Sequence, residues 1–495
     1  MTQAIASKGH VEHTKAAESP RGLDGSITRP IHITFMGAGS GFCPTLCRDL
    51  LMIGGADRGE LRLVDIDGDR LATMHQVIEN VIAQTGRSDG WTVRSSTDRR
   101  SVLAGSDYVV CCVEVSGVDC VKWDNDIPLT YGVDQCIGDT IGPGGLFKAL
   151  RTVPVFLDIL HDMSDLCPQA IMLNYTNPMS IMCLAAGRAM PQIPVVGLCH
   201  SVQGTSHLLA QYAGVPYEEM EWECAGINHL SWFTTLKHQG RDLYQSVLHR
   251  KFSGEVAQLI AERQGGAGQH DQRDSAAPAK FKDMVRKDMC VHFGAFITES
   301  SGHLSEYLPY YRKSAEGRKL LLPEYDGGSR YYASNWPRWR RDADAHRLRQ
   351  VSGEESVKLE RSWEYGSWII EAREKNQPFR IHGNVMNSVP GGGESGKLIT
   401  NLPGDGCVEV ACMIDRNGIH PTRYGALPAQ MAHLCASNMA MFDLAATAVI
   451  QRSKEAAIHA LMLDPYTAAV CTPGQIRQMA LEMFDAEAAF LPRYQ

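Results

Sequence analysis

A short apolar run, Ile31 to Met36, passes directly into Gly37-Ala38-Gly39-Ser40-Gly41 and then into the helix-compatible stretch Thr45 to Ile53. Strand, glycine-rich turn and helix in that order constrain the fold more than any other segment of the chain. Glycines at such a turn allow a tight reversal and close backbone approach, and the helix N-terminus then faces an anion, as in dinucleotide-binding units. Phe42 stands where GxGxxG has its third glycine, so the spacing also fits a plain strand-to-helix turn.

The next segments favour the dinucleotide reading. Leu61 to Ile66 is a second strand-like run, and its Asp65 lies 24 residues past Gly41, placed to bind ribose hydroxyls and to favour NAD over NADP. Asp67 can cap a helix over Arg70 to Ala83. Strand-like runs at Trp91 to Ser95, Tyr108 to Val115, Ala170 to Asn174 and Val195 to Leu198 alternate with helical stretches at Phe147 to Met163, Met179 to Ala189 and Gly204 to Ala213. Such alternation predicts an α/β fold, a Rossmann-like doubly wound parallel sheet with helices on both faces. The expected organisation is a disordered tail over 1–30, a cofactor-binding domain over 31–200 and an α+β substrate, metal and oligomerisation domain over 201–495.

Past Gly226 the texture changes. Trp232 to Lys237 and Asp242 to Tyr244 suggest a hairpin, Gly265 to Gly268 a loop, and Arg312 to Arg361 surface helices and loops. Val408 to Ile414 reads as a strand, and Ala426 to Arg452 and Thr472 to Glu487 read as helices. Net charge is −8, and the densest cationic stretch, Arg338, Arg340, Arg341, Arg347 and Arg349, is interrupted by acids. Nucleic acid is therefore not an expected partner. The 15 cysteines sit mostly in apolar segments, which fits reduced thiols in a cytoplasmic protein. No signal peptide is read in residues 1–30 and no segment of membrane-spanning length elsewhere.

Cys199 ends one apolar run and His229 follows another, and a thiolate at a strand's carboxyl end faces the crevice of a doubly wound sheet. The pair reads as a divalent-metal site with open positions that a vicinal diol can fill. Taken singly, each also fits a core residue, a buried inert thiol and a hydrogen-bonded imidazole. Asn174, Asn177 and Asn228 add polar groups at similar positions. Gly142-Pro143-Gly144-Gly145 reads equally as a backbone cradle or a helix-start turn. Tyr307, Tyr310 and Tyr311 offer a phenolate but fit packing better.

In order along the chain, ITFMGAGS (33–40), LVDID (63–67), GDTIGPGGLFKALRTVPV (138–155), MLNYTNPMS (172–180), VGLCHSVQGT (196–205), CAGINHLSWF (224–233), FITESSGHLSEYLPYY (296–311) and NLPGDGCVEVACMIDRNGIHPT (401–422) resemble glycoside hydrolase family 4, and within it the melibiase-type α-galactosidases. The resemblance runs from Ile31 to Pro492 and implies a lactate/malate dehydrogenase-like superfold. It also implies an unusual hydrolysis: NAD takes hydride from C3 of the sugar, the C2 proton is removed, the aglycone is eliminated, water adds and the hydride returns. On this basis Cys199 and His229 hold Mn2+ or another divalent metal, Tyr307 is the base, His200 the acid and Asn177 a sugar contact. Gly37, Gly39, Ser40, Asp65 and Asn174 are the expected cofactor residues.

Phosphoglycosidase members carry an arginine in the segment matching Val113 to Gly117, where this chain has Glu114. An acid there favours a non-phosphorylated sugar. The basic, tryptophan-bearing stretch Trp336 to Arg341 leaves room for a C6-anionic sugar, a galacturonide or sulfoquinovoside, and also reads as a solvated helix face. From another class, a plain NAD-linked dehydrogenase would share the first-domain architecture. The expected partner is a small α-glycoside, with neither nucleic acid nor membrane, in a homodimer or homotetramer.

Overall fold

The computed structural model describes residues 22–264, 281–388 and 393–495; the loop expected at Gly265 to Gly268 lies outside these. Six strands, β1 (Ile31–Met36), β2 (Gly59–Val64), β3 (Trp91–Ser96), β4 (Tyr108–Cys111), β5 (Ile171–Asn174) and β6 (Val195–Gly197), lie parallel in the order β3-β2-β1-β4-β5-β6. This is the doubly wound order, with its crevice where the winding reverses between β1 and β4. β4 and β5 are buried along their whole length, which explains why they read as continuous apolar runs and not as alternating ones.

The sheet does not stop at β6. The antiparallel strands β7 (Met220–Ile227), β8 (Leu230–His238), β9 (Arg241–Asp242), β10 (Phe296–Ile297), β11 (Phe379–Met386), β12 (Cys407–Asp415) and β13 (Gly418–Pro421) extend it to 13 strands through the order β6-β11-β12-β7-β8-β10. β11 meets β6 at the single pair Asn384–Gly197, and β12 meets β7 at the single pair Glu409–Gly226. Glu409 and Asn384 bond to each other at 3.4 Å, and Ser231 donates to Glu409 at 2.7 Å, filling the space where these strands diverge. Neither β7 nor β11 was expected. β11 buries Arg380, His382 and Asn384, so its sequence lacks the apolar run that marks a core strand.

Several boundaries differ from the sequence reading for local reasons. The strand expected to continue to Val115 ends at Cys111, because β1, its ladder partner, ends at Met36. The strand expected to reach Ile66 ends at Val64, whose carbonyl accepts from both Gly37 N and Ala38 N. Gly142 to Gly145 form the first turn of the helix Gly142–Leu166. A Cβ on Gly144 would stand 2.2 Å from Gly138 O, and one on Gly145 2.5 Å from Thr140 C. These glycines thus let the segment carrying Asp139 pack directly on the helix.

Of the tail expected over 1–30, residues 1–21 lie outside the described residues. Residues 22–30 are held in place: Leu23 N donates to the buried Glu371 at 3.0 Å, Lys375 Nζ donates to Leu23 O at 2.7 Å, and Arg29 pairs with Asp107 and Glu374. The expectation that no segment reaches membrane-spanning length also needs correcting. Ala429–Gln451, 23 residues with mean hydropathy 1.3 in its most apolar window, is long and apolar enough, and half of that window is buried. It packs on the helices Gly142–Leu166, Met179–Ala189 and Lys454–Leu463, as the core helix of a globular protein does.

Candidate active site

Three strand ends deliver three side chains to one place. Cys199 follows β6 and precedes the helix Ser201–Ala213; His229 forms the turn between β7 and β8; Glu299 follows β10. Cys199 Sγ lies 3.6 Å from His229 Nε2 and 4.0 Å from Glu299 Oε2, which is 3.5 Å from His229 Nε2. Ligands of one small cation, bonded at about 2.0–2.3 Å in a tetrahedral set, stand roughly 3.5 Å apart. The spacing and the mixed S, N, O donor set therefore fit a divalent metal. His229 and Glu299 both adopt positive φ, +62° and +70°, a conformation non-glycine residues hold when the surroundings fix it.

The electrostatics of the bare cluster point the same way. Burial pushes His229 down to about 4 against the pull of Glu299, leaving the neutral imidazole a metal needs. Burial, then the charges of Glu299 and Glu409, raise the Cys199 thiol well above its ordinary value, so a thiolate there needs a cation. Glu299 resists burial and stays far below the usual carboxylate range through His229 and His303.

The helix Ser301–Tyr307 supplies the next layer. Its N-cap Ser300 accepts from His303 N, and His303 and Tyr307, four residues apart, share one face. The His303 ring stands 4.6 Å from that of His229, and its nitrogens lie 3.3 Å from Glu299 and 3.7 Å from Asp139. Burial opposes its charge, yet these carboxylates raise it to about 10. The Tyr307 ring lies 6.2 Å from that of His229, and its hydroxyl is buried with no hydrogen-bond partner among the described residues. Burial and the nearby Asp139, Glu306 and Glu299 hold that phenol protonated. Glu306, on the same helix, accepts from the N–H groups of Cys136, Ile137 and Gly138 and so fixes the segment that carries Asp139.

Asp139 links this cluster to the sugar-contact candidate: Asn177 Nδ2 donates to it at 3.4 Å. Lys148 Nζ sits 2.6 Å from Glu114 and 3.5 Å from Asp139. A recess beside them is lined by Glu114, Asp139, Lys148, Tyr332 and Trp336. His200 is more exposed, its side chain 64% accessible, and faces Glu364 at 3.5 Å; that contact raises its pKa.

At the glycine turn, Gly37 has φ +76°, and a Cβ there would stand 2.6 Å from Cys112 O. Gly39 N donates to Asp65 Oδ2 at 2.7 Å, and Asp67 N to Asp65 Oδ1 at 3.0 Å. Ser40 Oγ accepts from Phe42 N. Ile66, next to Asp65, is 95% exposed, an apolar platform beside a polar turn. Bare glycine, a carboxylate at the second strand's end and an apolar platform fit a dinucleotide.

Nine of the ten expected site residues thus fall into two groups, Gly37, Gly39, Ser40 and Asp65 at the turn and Cys199, His200, His229, Asn177 and Tyr307 around the cluster. Asn174 is fully buried, and its amide bonds to Thr176 and Met179, shaping the turn after β5. Tyr310 lies at the surface and Tyr311 donates to Asp288; neither joins Tyr307. Glu299, His303, Asp139 and Lys148 were missed. Glu299 had a signal, since it follows a short apolar run as Cys199 and His229 do.

Comparison with known proteins adds an independent line. Residues 32–215 match the family model described as Family 4 glycosyl hydrolase, and residues 224–467 that of the Family 4 glycosyl hydrolase C-terminal domain. An α-galactosidase of Bacillus subtilis (strain 168) is 36% identical over 469 residues, 93% of this chain and 99% of the relative. An α-galactosidase of Rhizobium meliloti (strain 1021) is 33% identical over 470 residues, 93% and 89% of the two chains. The solved structure of a 6-phospho-α-glucosidase from gut microorganisms, in complex with NAD and Mn2+, superposes with a TM-score of 0.73 at 20% identity, covering 94% of this chain and 100% of that one. With both halves of the chain matched and the relatives aligned nearly end to end, this protein belongs to the family 4 glycosyl hydrolases.

Proposed function

We propose that this chain is an NAD- and divalent-metal-dependent α-galactosidase acting on small α-galactosides. The observation that carries the reading is the Cys199–His229–Glu299 cluster with the buried Tyr307 beside it, in the same sheet as the Gly37 to Gly41 turn. The two α-galactosidases reported above support the choice of sugar. NAD, when bound, supplies a hydride acceptor for C3, and Mn2+ a Lewis acid for the 2- and 3-hydroxyls.

The chain's own groups then have distinct tasks. Gly37, Gly39 and Ser40 admit the cofactor's diphosphate, and Asp65 takes its ribose. Cys199, His229 and Glu299 hold the cation. Tyr307 removes the C2 proton once C3 is a ketone; its phenol, held protonated by burial and three carboxylates, gives up its own proton only beside positive charge. His200, accessible and paired with Glu364, protonates the departing oxygen. Asn177 contacts the sugar, its amide positioned by the bond it donates to Asp139. Lys148 and Arg151, the cations of that recess among the described residues, are each paired with two carboxylates, in keeping with an uncharged glycone.

We place the protein in the cytoplasm, where its 15 cysteines, all unpaired, stay reduced, and as a homodimer or homotetramer. Nitrophenyl α-galactoside, α-glucoside, α-galacturonide and α-sulfoquinovoside, each assayed with NAD and Mn2+, test the reading. The expected result is preferred turnover of the α-galactoside with no net NADH. Preference for another glycone sinks the sugar assignment, and NADH accumulating in step with product would mean a dehydrogenase.

A further inference from the structure

The arginine-rich stretch 338–349 takes no part in the site described so far. The structure sorts its members. Arg338, Arg340 and Arg349 are partly or largely exposed and pair with Asp342, Asp344 and Glu355. Arg347 turns inward and is 6% exposed. Its helix, Tyr331–Ser352, belongs to the second half of the chain but lies across Gly68–Gln84 of the parallel half. The end of this helix and the segment following it are fastened to the parallel half too: Asn80 Nδ2 donates to Gln350 O at 3.0 Å, Val357 N to Gln84 Oε1 at 3.1 Å, and Ser362 N to Asp49 Oδ1 at 3.0 Å.

This placement sets Arg347 against the glycine turn. Its Nη2 lies 3.9 Å from the position a Cβ on Gly41 would take. Arg70 donates to Gly39 O at 2.6 Å and approaches Asp344 at 3.3 Å, while Arg347 donates to the same Asp344 at 2.7 Å. Arg70 and Arg347 therefore share one carboxylate beside Gly39 to Gly41, which the partly exposed Arg340 also approaches at 3.8 Å, and Asp65 at the same turn is engaged by the Gly39 and Asp67 N–H groups. Burying two like charges together is unfavourable unless anionic groups complete the set. A diphosphate does so, and a guanidinium grips phosphate oxygens with two parallel N–H bonds.

We propose that Arg347 is a ligand for the diphosphate of the dinucleotide bound at the Gly37 to Gly41 turn, so that the second half of the chain closes the cofactor site opened by the first. The inference rests on the reading of that turn as the NAD site. Calorimetric titration of the full chain with NAD, ADP and adenosine tests it. Arg347→Met is expected to weaken NAD and ADP at least about 10-fold and leave adenosine unchanged. Arg349→Met, which removes an exposed charge from the same helix, is expected to change none of the three. Arg347→Gln, a polar replacement that also removes the charge, serves if the methionine variant does not fold. Unchanged NAD affinity, or equal losses for NAD and adenosine, overturns the proposal. Failure of the unmutated protein to bind NAD overturns the cofactor reading and this inference together.

Discussion

The crevice at the glycine turn after β1 and the cluster at the ends of β6, β7 and β10 belong to one sheet, yet they are built from different material. The crevice is made of backbone: a glycine turn, a helix start and one carboxylate bonded to main-chain N–H groups. The cluster is made of side chains that hold one another's charge states, with His303 raised to about 10 between Glu299 and Asp139 and His229 lowered to about 4 by burial. A backbone site tolerates exchange of single side chains and fails when a turn is strained. A side-chain site fails when any one donor is removed.

The largest break in that contrast to look for is Cys199→Ser, expected to abolish Mn2+ binding and with it turnover; full metal affinity in calorimetry would remove Cys199 as a ligand. Next, Tyr307→Phe is expected to lower kcat by about 10²–10⁴-fold, the usual range for losing a general base, and to slow exchange of the sugar's C2 hydrogen with deuterated water. Unchanged exchange would leave Tyr307 as packing. Glu299→Gln, which replaces an anionic donor by a neutral amide, is expected to weaken Mn2+ at least about 100-fold; no change would reduce the cluster to two protein ligands. On the crevice side, Asp65→Asn is expected to cost only about 10-fold in NAD affinity, one charge-assisted hydrogen bond. A loss as complete as that of Cys199→Ser would erase the distinction between backbone and side-chain sites.

The smallest effect concerns stability. Burial raises Glu409 to about 7, with Ser231 and Asn384 opposing. A carboxyl whose folded pKa lies above its unfolded value favours folding below the unfolded pKa, and that contribution is lost as pH rises through about 7. Glu409→Gln should therefore melt a few degrees above the parent at pH 8 and close to it at pH 5. An equal shift at both pH values would mean that its ionisation is not the cause.

The parallel half was legible because its signals are local. β1 runs straight into the glycine turn, β2 runs straight into Asp65 and the capping Asp67, and the buried strands read as apolar runs. Cys199 and His229 were found because each follows such a run. Glu299, His303, Asp139 and Lys148 were not, because their meaning lies in contacts between segments far apart in sequence: Asp139 matters through His303 and Asn177, and Lys148 through Glu114. β11 escaped notice for a related reason, since Arg380, His382 and Asn384 are polar in sequence and become core only once β6 and β12 flank them.

The parallel and antiparallel strands share one sheet, joined where Asn384 meets Gly197. The turn after β1 and Cys199 after β6 are consequently held in one hydrogen-bonded framework, three strand spacings of about 4.8 Å apart. Outer loops and helices can be exchanged to suit a new sugar while that pitch stays fixed.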